Sequence, residues 1–385
     1  MIPYGRQDIQ EEDIEAVIKV LKSDFLTQGP TVQNFEEKLA GYCQVPYAVA
    51  VNSATSALHL ACLALDLKQG DWLWTSPVTF VASANCALYC GAQVDFVDID
   101  PQTGNLCPNA LEAKLIKAEQ EGKLPRIVIP VHLCGQPCDM TAIRTLADRF
   151  HFQIIEDASH AIGARYRNEP VGNCRHSDIT VFSFHPVKII TTAEGGVATT
   201  RSVELAKCMA RLRSHGITRA PDEMTHESDG PWYYQQIELG FNYRMTDLQA
   251  ALGLSQLIRL DQYIQRRQQL AARYDQLLTG LPLSRLQQLP DSQSSWHLYV
   301  IRLHDNLEIA HRQVFDAMRA AGIGINLHYI PVHLQPYYQN LGFKSGDFPE
   351  AESYYSQAIS LPLYPTLTDE MQAKVVEALQ NALSL

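Results

Sequence analysis

The chain has 385 residues, 46% of them apolar, enough to bury one large core and a second, smaller one. A formal net charge of -11 argues against nucleic acid as a partner, because neutralising a phosphate backbone takes a basic face; an anionic small molecule stays open through local groups. No charged-then-apolar leader and no apolar run near the ~20 residues of a membrane span occurs, so a cytoplasmic protein without membrane contact is expected.

Taken in chain order, residues 47–51 read as a strand that runs into Asn52, Ser53, Ala54, Thr55 and Ser56 and then into a helix with apolar spacing at Leu58, Cys62 and Leu65. Strands at 72–75, 94–97, 126–131 and 153–157 alternate with helices at 79–88, 108–121 and 139–150. Strands separated by helices of this length predict a mainly parallel sheet covered on both faces, an α/β fold. Further strands are expected at 178–184 and 196–200. The stretch 217–236 is polar, bears Pro and Gly, and reads as a long loop, of the kind that is functional or mobile.

Thr246 and Gln249 have capping-box spacing and open a long helix expected to run past Tyr263. A strand at 296–303, a helix at 307–320, a strand at 323–328 and a C-terminal helix from Thr368 predict a smaller α/β domain. The expected division is 1–245 and 246–385. Nine cysteines scattered through helices and loops read as reduced thiols. The pairs Cys86 with Cys90 and Cys134 with Cys138, even with His132 nearby, lack the four ligands at recognised spacing that zinc requires, so no metal is expected.

Three stretches carry chemistry. Ser183-Phe184-His185-Pro186-Val187-Lys188, closed by Glu194-Gly195-Gly196, sets a lysine in a Pro-bent segment at the end of a buried strand. An amine acts as a covalent catalyst where it can lose its proton and be held against a carbonyl; a solvated surface lysine is the plain alternative. Gln153 to Asp157 delivers an acid to the carboxyl end of a strand, where open α/β sheets bind ligands. A carboxylate there suits the pyridine nitrogen of pyridoxal phosphate, the partner of a Schiff-base lysine, or it caps the following segment. Ser53 to Ser56 offer a helix start whose free amides and dipole suit a phosphate, or an ordinary N-cap at Asn52 or Ser53. One cofactor, pyridoxal phosphate, uses all three.

The chain resembles, over nearly its whole length, the DegT/DnrJ group of sugar-nucleotide aminotransferases of pyridoxal-phosphate fold type I. The resemblance rests on Ile2-Pro3-Tyr4-Gly5, Leu26-Thr27-Gln28-Gly29-Pro30, the 131–137 segment with His132, Gly135 and Pro137, Glu156-Asp157-Ala158-Ser159-His160-Ala161, the 183–196 lysine segment and Gly240-Phe241-Asn242-Tyr243-Arg244. Within the group, 52–58, 190–196 and Arg213-Ser214-His215-Gly216 are most similar to the C4 aminotransferases of pseudaminic acid synthesis, which act on a UDP-linked 4-keto-6-deoxy-N-acetyl sugar.

The resemblance implies a large parallel-sheet domain and a smaller C-terminal one. It assigns the catalytic roles to Lys188, Asp157 and His160. Lys188 would link to the cofactor, Asp157 would pair with the ring nitrogen, and His160, where many relatives have Gln, would lie near the ring hydroxyl. Phe80 would stack on the ring, and Ala54, Thr55 and Ser183 would hold the phosphate. Asn242 would reach the phosphate of a second subunit, which implies a homodimer with shared sites. Substrate contacts carry over onto Tyr4, Leu26, Thr27, Gln28, Gly29, His328, Tyr329, Ile330 and Pro331, with Ala54, Ser183 and Asn242 shared. The implied reaction takes an amino group from L-glutamate to C4 of the UDP-keto sugar. Another UDP- or dTDP-4-keto sugar, and a non-catalytic sugar-nucleotide sensor, are the competing readings; His185 reads equally as a packing residue or a proton shuttle.

Overall fold

A computed structural model describes residues 1–305 and 309–384. Helices α1 (Glu11–Leu21) and α2 (Pro30–Cys43) precede the central sheet. Its strands are β1 (Tyr47–Val51), β2 (Trp72–Thr75), β3 (Gln93–Phe96), β4 (Ile127–Ile129), β5 (Gln153–Asp157), β6 (Ile179–Ser183) and β7 (Gly196–Thr200). They lie in the order β1-β7-β6-β5-β4-β2-β3. Strands β2 to β6 run parallel, joined in part by α4 (Ala82–Tyr89), α5 (Pro108–Glu121) and α6 (Met140–Phe150), while α3 (Ala54–Ala64) leaves β1. The short connection from β6 to β7 carries no crossover helix, so β7 reverses and pairs antiparallel with both β6 and β1.

Side chains alternate between the two faces of the sheet, and both faces are apolar. Val49, Val51, Val181 and Ala198 join one core cluster; Ala50, Phe182 and Val197 join the other, with Phe35 of α2 and Phe184. That is the pattern of a sheet buried on both sides.

Register then decides where the chemistry sits. Val51 stands opposite Gly196, Gly196 opposite Ser183, and Val181 opposite Asp157. The carboxyl ends of β1, β5 and β6 therefore share one edge with the start of β7. The cradle, the acid and the lysine segment all emerge there.

Helix α7 (Val203–Leu212) follows β7 and is N-capped by Ser202. The 217–236 stretch is not wholly loop: Ile217–Thr218 pairs with Gln235–Gln236, so the excursion is closed at its base. The capping box at Thr246 and Gln249 is present, but the single long helix expected from it is two. Helix α8 (Asp247–Ile258) packs on α1 and α2, and α9 (Leu260–Leu277) departs toward the C-terminal core. Arg259 makes the joint. Its guanidinium bonds Asp13 of α1 at 2.6 Å and the Tyr263 hydroxyl at 3.0 Å, holding the chain where the two helices change direction.

The C-terminal sheet has β8 (Leu283–Arg285), β9 (Tyr299–Leu303) and β10 (Ala358–Leu361), all antiparallel. It is covered by α10 (His311–Ala320) and a terminal helix, Asp369–Leu383, N-capped by Thr368, where the helix was expected to begin. The expected helix start at Leu307 lies outside the described residues. The strand expected at 323–328 is absent: β10 takes the place beside β9, and the segment makes only single bridges, Ile323 to Ile2 and Asn326 to Ser360. All nine cysteines are free, and among the described residues no helix is long and apolar enough to cross a membrane.

Candidate active site

A cavity of about 520 Å³ opens at the carboxyl edge of the sheet. Ten of the residues expected to contact cofactor or substrate line it, namely Tyr4, Ala54, Thr55, Phe80, Asp157, His160, Ser183, Lys188, His328 and Tyr329, together with Ser53 and His185.

The cradle wall comes from α3. Ser53 is its N-cap, extended at φ -164, ψ 158, and its hydroxyl accepts from the Ser56 N–H at 3.1 Å. The N-cap reading is thus correct for Ser53, and Ala54 and Thr55, the first two residues of the helix, line the cavity; the amides that open a helix have no partner within it. Gly196 lets β7 run close beneath: a Cβ there would stand 2.5 Å from the Ala54 nitrogen.

Asp157 is buried at 5% exposure. One carboxylate oxygen accepts from the Ser83 hydroxyl at 2.6 Å and the other from the Ser159 N–H at 3.0 Å. Ser83 in turn meets Thr79 at 2.8 Å. The capping alternative therefore holds for one oxygen, but only as a turn contact, because no helix follows β5. Two hydrogen bonds fix the carboxylate's orientation within the wall.

Lys188 lies in a turn whose N–H donates to the His185 carbonyl at 2.9 Å, with Thr191 donating to the Phe184 carbonyl at 2.9 Å. The turn is fixed from outside by Gln249 of α8, which donates to the Glu194 carbonyl at 2.8 Å. Lys188 is open to the cavity and enclosed on its other sides. Lost hydration drives its pKa down to about 8, against the opposing pull of Asp157. At that value about a tenth of the amine is uncharged at neutral pH. His185 is exposed, about 4.0 Å from Glu194 at the rim.

Three imidazoles also line the cavity. Burial, with Lys188 nearby, holds His160 far below its ordinary value and lowers His328 to about 4. His297, a cavity-lining residue that sequence reasoning missed, is likewise held neutral by burial, and its Nδ1 has no hydrogen-bond partner among the described residues. Ser83, Asn326 and Leu327 were missed as well. A serine inside a helix and an asparagine in an irregular segment carry no local signal of a distant pocket.

The other expected residues are elsewhere in this chain. Leu26, Thr27 and Gln28 are exposed, Gly29 donates to Asp247 at 3.1 Å, and Thr27 bridges Thr246. Asn242 is exposed just before that strip, and Ile330 is 46% exposed. None of these, nor Pro331, lines the cavity.

An amine with a lowered pKa, a fixed buried carboxylate and a helix N-terminus in one cavity are the groups that a phosphorylated pyridine aldehyde requires, so the donor set fits pyridoxal phosphate. Comparison with known proteins agrees. The model of the DegT/DnrJ/EryC1/StrS aminotransferase family matches residues 7–380. The spore coat polysaccharide biosynthesis protein SpsC of Bacillus subtilis is 39% identical over 99% of this chain and 96% of its own. The UDP-4-amino-4,6-dideoxy-N-acetyl-beta-L-altrosamine transaminase of Campylobacter jejuni is 37% identical over 100% of this chain and 96% of its own. Among solved structures, Helicobacter pylori PseC, an aminotransferase involved in the biosynthesis of pseudoaminic acid, superposes with a TM-score of 0.90 at 32% identity, covering 100% of this chain and 99% of that one.

Proposed function

The chain belongs to the DegT/DnrJ/EryC1/StrS aminotransferase family and is a pyridoxal-phosphate-dependent aminotransferase, and on that premise we propose that it aminates C4 of a UDP-linked 4-keto-6-deoxy-N-acetylhexosamine. The donor is L-glutamate, the acceptor UDP-2-acetamido-2,6-dideoxy-beta-L-arabino-hexos-4-ulose, and the product UDP-4-amino-4,6-dideoxy-N-acetyl-beta-L-altrosamine, made in the cytoplasm for pseudaminic acid. The observation that carries the amino-transfer reading is Lys188, its pKa lowered to about 8, in one cavity with a buried Asp157. The substrate reading is supported by the likeness to the Campylobacter transaminase and to PseC.

When bound, the cofactor supplies an aldehyde that accepts amino groups and a ring that spreads negative charge. Ala54 and Thr55 N–H groups and the Ser183 hydroxyl would bind its phosphate, and Asp157 would keep its pyridine nitrogen protonated. Ser83 and the Ser159 N–H hold Asp157 for that task. Phe80, which lines the cavity, would cover one face of the ring. Lys188 Nζ, uncharged in part at neutral pH, takes the proton from the α-carbon of glutamate and later delivers one to C4 of the sugar. Tyr4, His328 and Tyr329 form the sugar side.

Five of the residues outside the cavity, Leu26 to Gly29 and Asn242, fall on one strip, since Asn242 leads into Thr246 and Thr246 bridges Thr27. We propose that this strip, Leu26 to Gly29 with Asn242, serves the site of a second copy in a homodimer, Asn242 reaching its phosphate. Ile330 and Pro331 belong to the sugar-side segment.

The test is a panel of UDP- and dTDP-4-keto sugars incubated with glutamate and pyridoxal phosphate, with product configuration read by NMR. Preference for the L-arabino UDP-keto sugar is the expected result; equal or better use of a D-configured or dTDP-linked sugar would replace the substrate. A protein that binds the sugars but never converts its cofactor on addition of glutamate would be a sensor instead.

A further inference from the structure

The three neutral imidazoles of the cavity are not equivalent, and their hydrogen bonds show which way each proton points. His328 is spent on structure. The Leu327 N–H donates to Asn326 Oδ1 at 2.9 Å, which turns the Asn326 amide nitrogen to His328 Nε2 at 3.3 Å. Nε2 must then accept, so the proton sits on Nδ1 and goes to Ser360 Oγ at 2.8 Å. The backbone carbonyl of His328 is held as well, by the Tyr354 hydroxyl at 2.8 Å.

His160 has the opposite tautomer. The Cys134 backbone N–H, which can only donate, points at its Nδ1 at 3.3 Å. A neutral ring carries one proton, so it sits on Nε2, and Nε2 is 3.0 Å from the Tyr329 hydroxyl. Nε2–H donates and Tyr329 Oη accepts. The Tyr329 hydroxyl is left with a proton and no acceptor among the described residues, on a side chain that lines the cavity.

We propose that His160 is a positioning residue that fixes Tyr329 as a one-way hydrogen-bond donor to an electron-rich oxygen in the cavity. The recipient carries lone pairs and no proton of its own: the phenolate oxygen of the cofactor ring, or the carbonyl oxygen of the keto sugar. Either gains from a donor, because negative charge concentrates there as the reaction proceeds. Burial supports the assignment, since it keeps the tyrosine protonated and the histidine neutral. This inference rests on the amino-transfer reading for the identity of the oxygen, but not for the direction of the relay.

The experiment uses Tyr329→Phe, His160→Leu, His160→Gln and the Tyr329→Phe/His160→Leu double variant, each loaded with pyridoxal phosphate. Two readouts are taken: the pH midpoint of the visible band, and the single-turnover rate of the keto-sugar half-reaction. If the oxygen is the cofactor's, Tyr329→Phe and His160→Leu both raise the midpoint, by about one unit. If it is the sugar's, the midpoint stays and the half-reaction slows about tenfold to a hundredfold with KM little changed. In both cases His160→Gln, an amide able to accept and donate, restores most of the effect, and the double variant is no worse than either single one. Unchanged readouts in Tyr329→Phe, or additive defects in the double variant, would overturn the proposal. NMR of cofactor-free protein labelled with ¹⁵N-histidine separates this from the function itself: His160 must be neutral with its proton on Nε2. A proton on Nδ1 overturns the relay even if the enzyme aminates sugars, and a correct tautomer in a protein that aminates nothing defeats only the functional reading. Should His160→Leu not fold, Tyr329→Phe and the tautomer decide.

Discussion

The two walls of the cavity are made differently. The sheet wall is built from consecutive strand ends: Val51, Gly196 and Ser183 fall in one register row, with Asp157 one strand over. The opposite wall is assembled from the two extremes of the chain, Ile2 bridging Ile323, Gly324 donating to the Ile2 carbonyl at 2.6 Å and Leu363 donating to the Tyr4 carbonyl at 3.0 Å. Chemistry that every substrate shares sits on the rigid wall, while the groups that meet the variable part of a substrate sit on the wall made of irregular segments. The difference predicts that damage to the first abolishes reaction and that damage to the second, Tyr329 apart, alters selection.

The sharpest way to break that contrast is Lys188→Ala. Turnover and the visible absorbance of the bound cofactor should both vanish, since no other amine among the described residues lines the cavity; a spectrum and a rate like those of the unaltered protein would remove the assignment. Asp157→Asn should come next, cutting turnover by about a hundredfold or more while leaving the fold intact, as measured by kcat and by circular dichroism. It should also carry the Lys188 midpoint below about 8, because the carboxylate is what pulls it upward. Labelling of the amine in cofactor-free protein against pH reads this directly, and an upward move would contradict the charge argument.

Gly196→Ala tests the cradle without touching a charged group. Its methyl would stand 2.5 Å from the Ala54 nitrogen and 2.5 Å from the Ser53 carbonyl carbon, both backbone, so the start of α3 must move. Cofactor affinity should fall about tenfold and stability by about 1–3 kcal/mol, seen in a cofactor titration and in urea unfolding. The smallest effect belongs to Asn242→Ala, for which weaker cofactor retention on dialysis, by a few-fold and only in the dimer, is the expected outcome. Equal retention would leave Asn242 without a part in a shared site.

Much of the rigid wall was legible because strand ends, turn residues and a helix start are local signals. Glu156-Asp157, the Pro-bent run to Lys188, and Ser53 before α3 each announce themselves within a few residues. The second wall was not, because its members meet only through folding. The 323–328 segment alternates like a strand, yet β10 takes the sheet position, and no local pattern distinguishes the two. His297 and Ser83 sit in ordinary apolar surroundings in sequence, and only the packing of β9's approach and of α4 brings them to the cavity and to Asp157. The break at Arg259 escaped for the same reason: its cause is Asp13, on a helix 246 residues away in the chain.

The most direct test of the central claim is reduction of the cofactor-loaded protein with borohydride, followed by peptide mass mapping. One pyridoxyl group per chain, on the peptide that carries Lys188, is the predicted result. A label on any other lysine, or a protein that takes up no label, would contradict it.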